Sequence, residues 1–195
     1  MNSSLFISLL LVGGGVIALV GCKTSRSGYE SAPYSVVQSD EEFELRDYPE
    51  LTIVEAPMTE RGSGENAGFR KLFGYITGKN EAKKKIAMTT PVFISEGKST
   101  MSFVMPSDTS SKGVPMPLDT TLSIKKIPAG RFAVVRFSGG RSDAKESQKL
   151  ALLKSWIANK GLVAEGEPVC GYFDPPWTLP FLRRNEVMLR VETKR

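Results

Sequence analysis

The sequence predicts an α+β domain, a pseudo-twofold distorted antiparallel β-barrel or sheet with two helices, built from two strand-strand-helix-strand-strand halves. Three observations predict it. The same order of elements occurs twice, at an offset of roughly 80 residues, which is too long and too seldom repeated for a solenoid. A Pro-Val pair opens the third strand of each copy, at Pro91 and Pro168. Each copy holds one segment of helical periodicity that ends at a glycine, Gly78 in the first and Gly161 in the second.

In chain order, Phe43 to Arg46 and Leu51 to Val54 are short β-prone runs around Tyr48-Pro49-Glu50, a hairpin signal. Glu65 to Thr77 sets Phe69, Leu72, Phe73 and Ile76 at the i, i+3, i+4, i+7 spacing of one helical face. Pro91 to Ile94 and Met101 to Met105 are strands about a turn at Glu96-Gly97-Lys98, and Ser107 to Asp119 is a polar linker. Ser123 to Ile127 and Phe132 to Phe137 repeat the first strand pair around Pro128-Ala129-Gly130. Ser142 is placed to cap a helix running to about Lys160, with Leu150, Leu153 and Ile157 on one face. Pro168 to Phe173 and Glu186 to Val191 complete the second copy.

Composition narrows the chemistry. The chain has 195 residues, 41% hydrophobic and 24% charged, which is ordinary for a globular protein. It contains no histidine. Without imidazole there is no Ser-His-Asp or Cys-His pair, no ordinary zinc site and no histidine ligand to a haem iron. The net charge of +5 is far weaker than a nucleic-acid-binding footprint, so no nucleic-acid partner is expected, while an anionic small ligand or membrane surface suits its sign. The Ser142-Asp143-Ala144-Lys145 string matches an acyl-transfer pattern but lacks its partner strings, and Gly13-Gly14-Gly15 lacks the Lys-Ser/Thr of a phosphate loop.

The first 21 residues carry no Lys, Arg, Asp or Glu, and Leu5 to Gly21 is mostly apolar. Leu19-Val20-Gly21-Cys22 resembles the bacterial lipobox, in which the cysteine is acylated after cleavage. Residues 1–21 are therefore expected to be a lipoprotein signal peptide, 22–33 a polar tether beginning at an acylated Cys22, and 34–193 the folded domain. The expected location is the bacterial cell envelope, with a lipid anchor in the membrane. The n-region has no basic residue, and an uncleaved signal anchor is the alternative. Lipidation of Cys22 leaves Cys170 as a lone thiol, so no intramolecular disulfide staples the domain.

Several strings, in order, resemble the SOUL haem-binding family: FELRDYP at 43–49, FRKLFGYI at 69–76, KIAMTTPV at 85–92, MSFVMP at 101–106, and DPPW at 174–177 with RRNEV at 183–187. The resemblance runs from Tyr34 to Val191. It implies a distorted β-barrel with two helices and non-covalent binding of haem or another tetrapyrrole in an apolar cleft beside the first helix. By position, the cleft wall corresponds to Phe69, Leu72, Phe73 and Ile76, and a flanking loop to Tyr172 through Phe181, which includes Trp177. The same Phe, Leu, Phe, Ile stripe also reads as an ordinary core face, and both readings stand for Leu72 and Ile76. Arg70, Lys71 and Lys79 are candidate partners for the propionates.

The missing histidine departs from the family pattern. It leaves Met88, Cys170, Tyr75 and Tyr172 as possible axial donors and favours binding by ring burial. Four apolar contacts at about 1.5 to 3 kcal/mol each give roughly 6 to 12 kcal/mol gross. Association costs about 4 kcal/mol or more, so micromolar affinity, near about −8 kcal/mol, is expected. The role the resemblance implies is a carrier, buffer or sensor, and no enzymatic activity is expected. The alternatives are an enzyme working on a hydrophobic substrate in the same cleft, with Glu44 or Glu186 as acid or base, and a protein-interaction module.

Overall fold

A computed structural model describes residues 28–58, 66–95, 97 and 99–193. The signal segment, Cys22 and most of the polar stretch after it lie outside these residues. Eleven strands and three helices follow one another: β1 (Glu30–Ser31), β2 (Ser35–Asp40), β3 (Phe43–Tyr48), β4 (Leu51–Pro57), α1 (Ala67–Ile76), β5 (Thr89–Thr90), β6 (Val92–Ser95), β7 (Thr100–Val104), α2 (Ser107–Lys112), β8 (Ser123–Ile127), β9 (Gly130–Phe137), α3 (Asp143–Asn159), β10 (Leu162–Tyr172) and β11 (Asn185–Thr193). Nine of them form one antiparallel sheet in the order β2-β3-β9-β11-β10-β6-β7-β4-β8, and the sheet does not close into a barrel. Glu30–Ser31, inside the stretch expected to be tether, lie parallel to Thr89–Thr90, and Ala32 is buried.

The internal repeat is written into this order. Exchanging β3 with β8, β4 with β9, β6 with β10 and β7 with β11 reverses the list from β3 to β8 and leaves its neighbours unchanged. The pseudo-twofold axis therefore passes between β6 and β10, where the copies meet antiparallel, Tyr172 opposite Val92.

Two expected hairpins are corrected. β3 does not pair with β4, nor β8 with β9: β3 bonds to β9 and β4 to β8, so each copy lends its first strand to the other. A two-residue hairpin loop needs left-handed backbone. Pro49-Glu50 and Pro128-Ala129 offer none, because proline fixes φ near −65° and neither Glu50 nor Ala129 has a positive φ. The two corners instead lie side by side, with Tyr48 opposite Gly130 and Leu51 opposite Ile127. β6 and β7 do form the expected hairpin, Val92 opposite Phe103. The expected linker contains the short helix α2, a third helix beyond the two read from periodicity.

Strand alternation divides the core. Val54, Ala56, Ile94, Met101 and Phe103 turn outward to α1. Ala133, Val135, Val187 and Leu189 turn outward to α3. Their sequence neighbours Leu51, Ile53, Phe93, Val104, Val134 and Met188 point to the inner face and meet one another. Both faces of the central strands are thus buried, which is why runs such as Ala133-Val134-Val135 are apolar throughout. Gly78 (φ +118°) and Gly161 (φ +68°) follow α1 and α3 in the left-handed conformation that ends a helix. Ser142 occupies the N-cap of α3, although its side chain makes no capping bond.

Candidate functional site

The predicted α1 face splits. Leu72 and Ile76 are 0% and 4% exposed and belong to the core, whereas Phe69 and Phe73 are 38% and 49% exposed. The two phenyl rings, one turn apart, stack with centroids 5.8 Å apart and planes 15° from parallel. Phe69 also meets the buried Phe103 ring edge-on at 5.7 Å. Phe103 stands opposite Val92, and Val92 opposite Tyr172, so a row of same-face side chains leads from Phe69 across β7, β6 and β10. At about 4.8 Å per strand, Tyr172 lies about 10 Å from Phe103 across the sheet. Val92 and Tyr172 are half-buried and pack against the α1 core.

Tyr172 is fixed from the other side by α3, because its hydroxyl donates to Glu146 Oε1 at 2.7 Å. Burial, reinforced by that hydrogen bond, pushes its pKa up. The Arg141 guanidinium lies over its ring, 4.8 Å from the centroid. Phe69, Phe73, Val92 and Tyr172 thus form an apolar shelf between the two helices, with Arg141 at its α3 edge. Sequence analysis missed Val92, Phe103 and Arg141. The repeat could have indicated the first two, since their strand positions follow from pairing the copies, but nothing in the Gly139-Gly140-Arg141 string marks the cation.

From Tyr172 the chain enters the proline-rich loop that precedes β11. Arg183 braces it, donating from Nε to the Thr178 carbonyl at 2.7 Å and from Nη2 to the Pro176 carbonyl. Gly139 N–H donates to the Pro180 carbonyl at 2.9 Å, and Arg184 N–H to Asp174 Oδ2 at 2.7 Å. The brace leaves Trp177 and Phe181 at 77% and 69% exposed, with Leu179 and Leu182 also in the open. Exposed large apolar groups this close together mark a contact surface.

Arg70, Lys71 and Lys79 line one pocket of about 300 Å³ with Asp119 and Leu122. Lys71 donates to Thr121 Oγ1 at 3.1 Å, and the Lys79 stem lies along Gly74. Lys71 is two residues, about 200° of helical rotation, from both Phe69 and Phe73, so this pocket opens on the opposite flank of α1. Arg70 lies between the two flanks. Of the cations beside the aromatic shelf, Arg141 is better placed than Lys71 or Lys79.

The four candidate axial donors are dispersed. Tyr75 is buried, donates its hydroxyl to the Pro115 carbonyl at 2.7 Å, and is pushed up to about 12 by burial. The Tyr172 hydroxyl is engaged by Glu146. Cys170 is half-buried against the α3 core and Met88 against the α1 core. Both phenol hydroxyls are thus committed to oxygen acceptors. The acid and base of the enzyme alternative fit poorly. Glu186 is fully buried and held by Arg46 and Arg184, and Glu44 pairs with Arg46 and Arg136.

An open, pseudo-symmetric sheet with helices on its outer face defines the chain as an α+β domain. The family model described as SOUL heme-binding protein matches residues 29–190. Heme-binding protein 2 of Homo sapiens is 31% identical over 160 residues, 75% of this chain and 77% of that protein. Its Mus musculus counterpart is 30% identical over 171 residues, covering 81% and 82%. The chain belongs to the SOUL haem-binding family. Among solved structures, the C-terminal domain of EcmrR matches 83% of this chain and 99% of that chain, with TM-score 0.52 at 14% identity. A hydrolase from Listeria innocua matches 80% and 94%, with TM-score 0.55 at 11% identity. These two likenesses concern the fold alone.

Proposed function

We propose that this protein is a lipid-anchored haem or tetrapyrrole binder of the bacterial cell envelope, acting as a carrier, buffer or sensor. The observation that carries the reading is the stacked, half-exposed pair Phe69 and Phe73 on a helix whose neighbouring Leu72 and Ile76 are core. A lone amphipathic helix in water gains nothing by exposing two stacked phenyl rings, whereas a flat macrocycle laid against them buries its face. Tyr172 and Val92 supply the floor, Trp177 and Phe181 a second apolar wall, and Arg141 or Arg70 a cation for a propionate. Bound there, the tetrapyrrole would supply its own redox or optical chemistry; the chain's residues bind it, orient it and exclude water from one face.

Family membership and 31% identity to a protein named for haem binding support this reading. The lipid anchor rests on the Leu19-Val20-Gly21-Cys22 string. Titrating the purified protein with haemin tests the binding: saturable absorbance changes at micromolar concentration are expected, and no response would remove the proposal. Mass spectrometry of the mature N-terminus tests the anchor. An acylated Cys22 is expected, and an unmodified Cys22 on a chain still carrying Met1 would favour a signal anchor.

A further inference from the structure

The inner face of the sheet carries its own apolar cluster beside the buried Arg46–Glu186 network, and neither α1 nor α3 packs on it. We propose that the fold of the sheet holds a second ligand site, separate from the α1 shelf, for an uncharged and mainly apolar small molecule. A pocket of about 500 Å³ opens there, within the size range of small-molecule sites. Its floor is Leu51, Ile53, Phe93, Phe132, Val169 and Met188.

A bulge in β10 makes the mouth. Glu165 stands opposite Arg190 and Val169 opposite Met188, so Gly166, Glu167 and Pro168 together face Leu189 alone. Gly166 takes φ +68°, and a Cβ there would meet open space. β6 accompanies β10 only as far as Ser95, opposite Val169, and beyond the bulge β10 pairs with β11 alone. The ladder on that side stops, and the interior is left accessible beside Ser95 and Thr100.

Charge at the rim selects the ligand class. The lining holds three acids, Glu55, Glu165 and Glu167, and three bases, Lys125, Lys126 and Arg190. Lys125 pairs with Glu55, and Lys126 with Glu50 at 2.7 Å. Arg190 donates to the Ala129 and Pro128 carbonyls and lies over the Phe132 ring at 4.8 Å. The three cations are committed, which leaves no partner for a carboxylate, and Glu165 and Glu167 are exposed at the mouth and not on the floor, where an ammonium would have to sit. An ion on this floor would lose its hydration without a partner. An uncharged lipophile loses nothing and gains burial, with Ser95, Thr100 and Ser102 able to orient one carbonyl or hydroxyl.

The site is separable from the tetrapyrrole shelf because Phe93 points inward between Val92 and Ile94, which point outward. The test is fluorescence titration of the protein with N-phenyl-1-naphthylamine, which is uncharged and brightens on leaving water. Saturable binding is expected, weakened about tenfold or more by the pocket-filling substitutions Val169→Trp and Thr100→Trp. Phe73→Ala and Trp177→Ala should leave it unchanged, and saturating haemin should not displace the probe. Circular dichroism establishes that each filled variant is folded, and the haemin competition needs no variant. Failure of the wild-type protein to bind the probe, displacement by haemin, or loss on Trp177→Ala with retention in the folded filled variants would each overturn the proposal. The wild-type titration and the variant series do not depend on whether haemin binds the outer shelf.

Discussion

Arg46 places Nη1 and Nη2 on the two carboxylate oxygens of Glu186, at 2.8 and 2.9 Å, across 140 positions of chain. The bidentate pair ties β3 to β11, the last strand of the chain, and neither side chain is exposed. Burial draws the Arg46 pKa down, but its bonds to Glu186 outweigh that and the net shift is upward. Arg184 and Tyr34 extend the network, and Arg136 closes it through Glu44.

This cluster is structural, and removing one carboxylate should show it. Glu186→Gln leaves Arg46, Arg136 and Arg184 with only Glu44 as counter-charge in the cluster, and should cost about 3 to 5 kcal/mol in denaturant unfolding. Haemin affinity of the folded fraction should not change, because the cluster is off the α1 shelf. A cost below about 1 kcal/mol would mean the pair is solvated and free to exchange a proton.

The division of the α1 face gives opposite expectations for neighbouring residues. Leu72→Ala should cost about 2 to 5 kcal/mol of stability, since Leu72 is fully buried. Phe73→Ala should cost less stability and instead weaken tetrapyrrole binding by about 1 to 3 kcal/mol. Thermal melts alongside haemin titrations separate the two effects.

Trp177→Ala should leave stability within about 0.5 kcal/mol of wild type, as expected for an exposed loop position. The same substitution should weaken haemin and porphyrin alike. A melt shifted substantially downward would place Trp177 in the core.

Alkaline pH should destabilise the protein in a defined window. Burial pushes both Tyr48 and Tyr75 up to about 12, above the ordinary tyrosine value of about 10. A group whose folded pKa is raised contributes stability that is full below its unfolded pKa and is lost as pH rises through the folded one. The unfolding temperature should therefore fall between about pH 10 and 12, and Tyr75→Phe should flatten part of that fall. An unchanged slope in that variant would contradict the assignment.

How much was legible beforehand follows from what each signal encodes. Periodicity located α1 and α3 within a residue or two, because one helix face is buried along its length and Gly78 and Gly161 end them. The repeat revealed the twofold, but pairing did not follow from it: alternation says which way Tyr48 and Leu51 point and nothing about which strand lies beside them. β2 escaped notice because Ser35 to Asp40 is an edge strand, almost wholly exposed, with no buried face to imprint a pattern. The aromatic pair was legible as a stripe, whereas its division into core and open residues depended on where β7 placed Phe103. Lys71 and Lys79, near Phe73 in sequence, line a pocket on the other flank of α1, and Arg141 comes from the other copy.

On the proposed reading the macrocycle is held by its faces and not by its metal. Comparing haemin with iron-free protoporphyrin in the same fluorescence-quenching titration tests it most directly. Micromolar dissociation constants that agree within about tenfold, or about 1.4 kcal/mol, are expected. Haemin binding about a hundredfold tighter than the porphyrin would contradict it and show a protein donor on the iron.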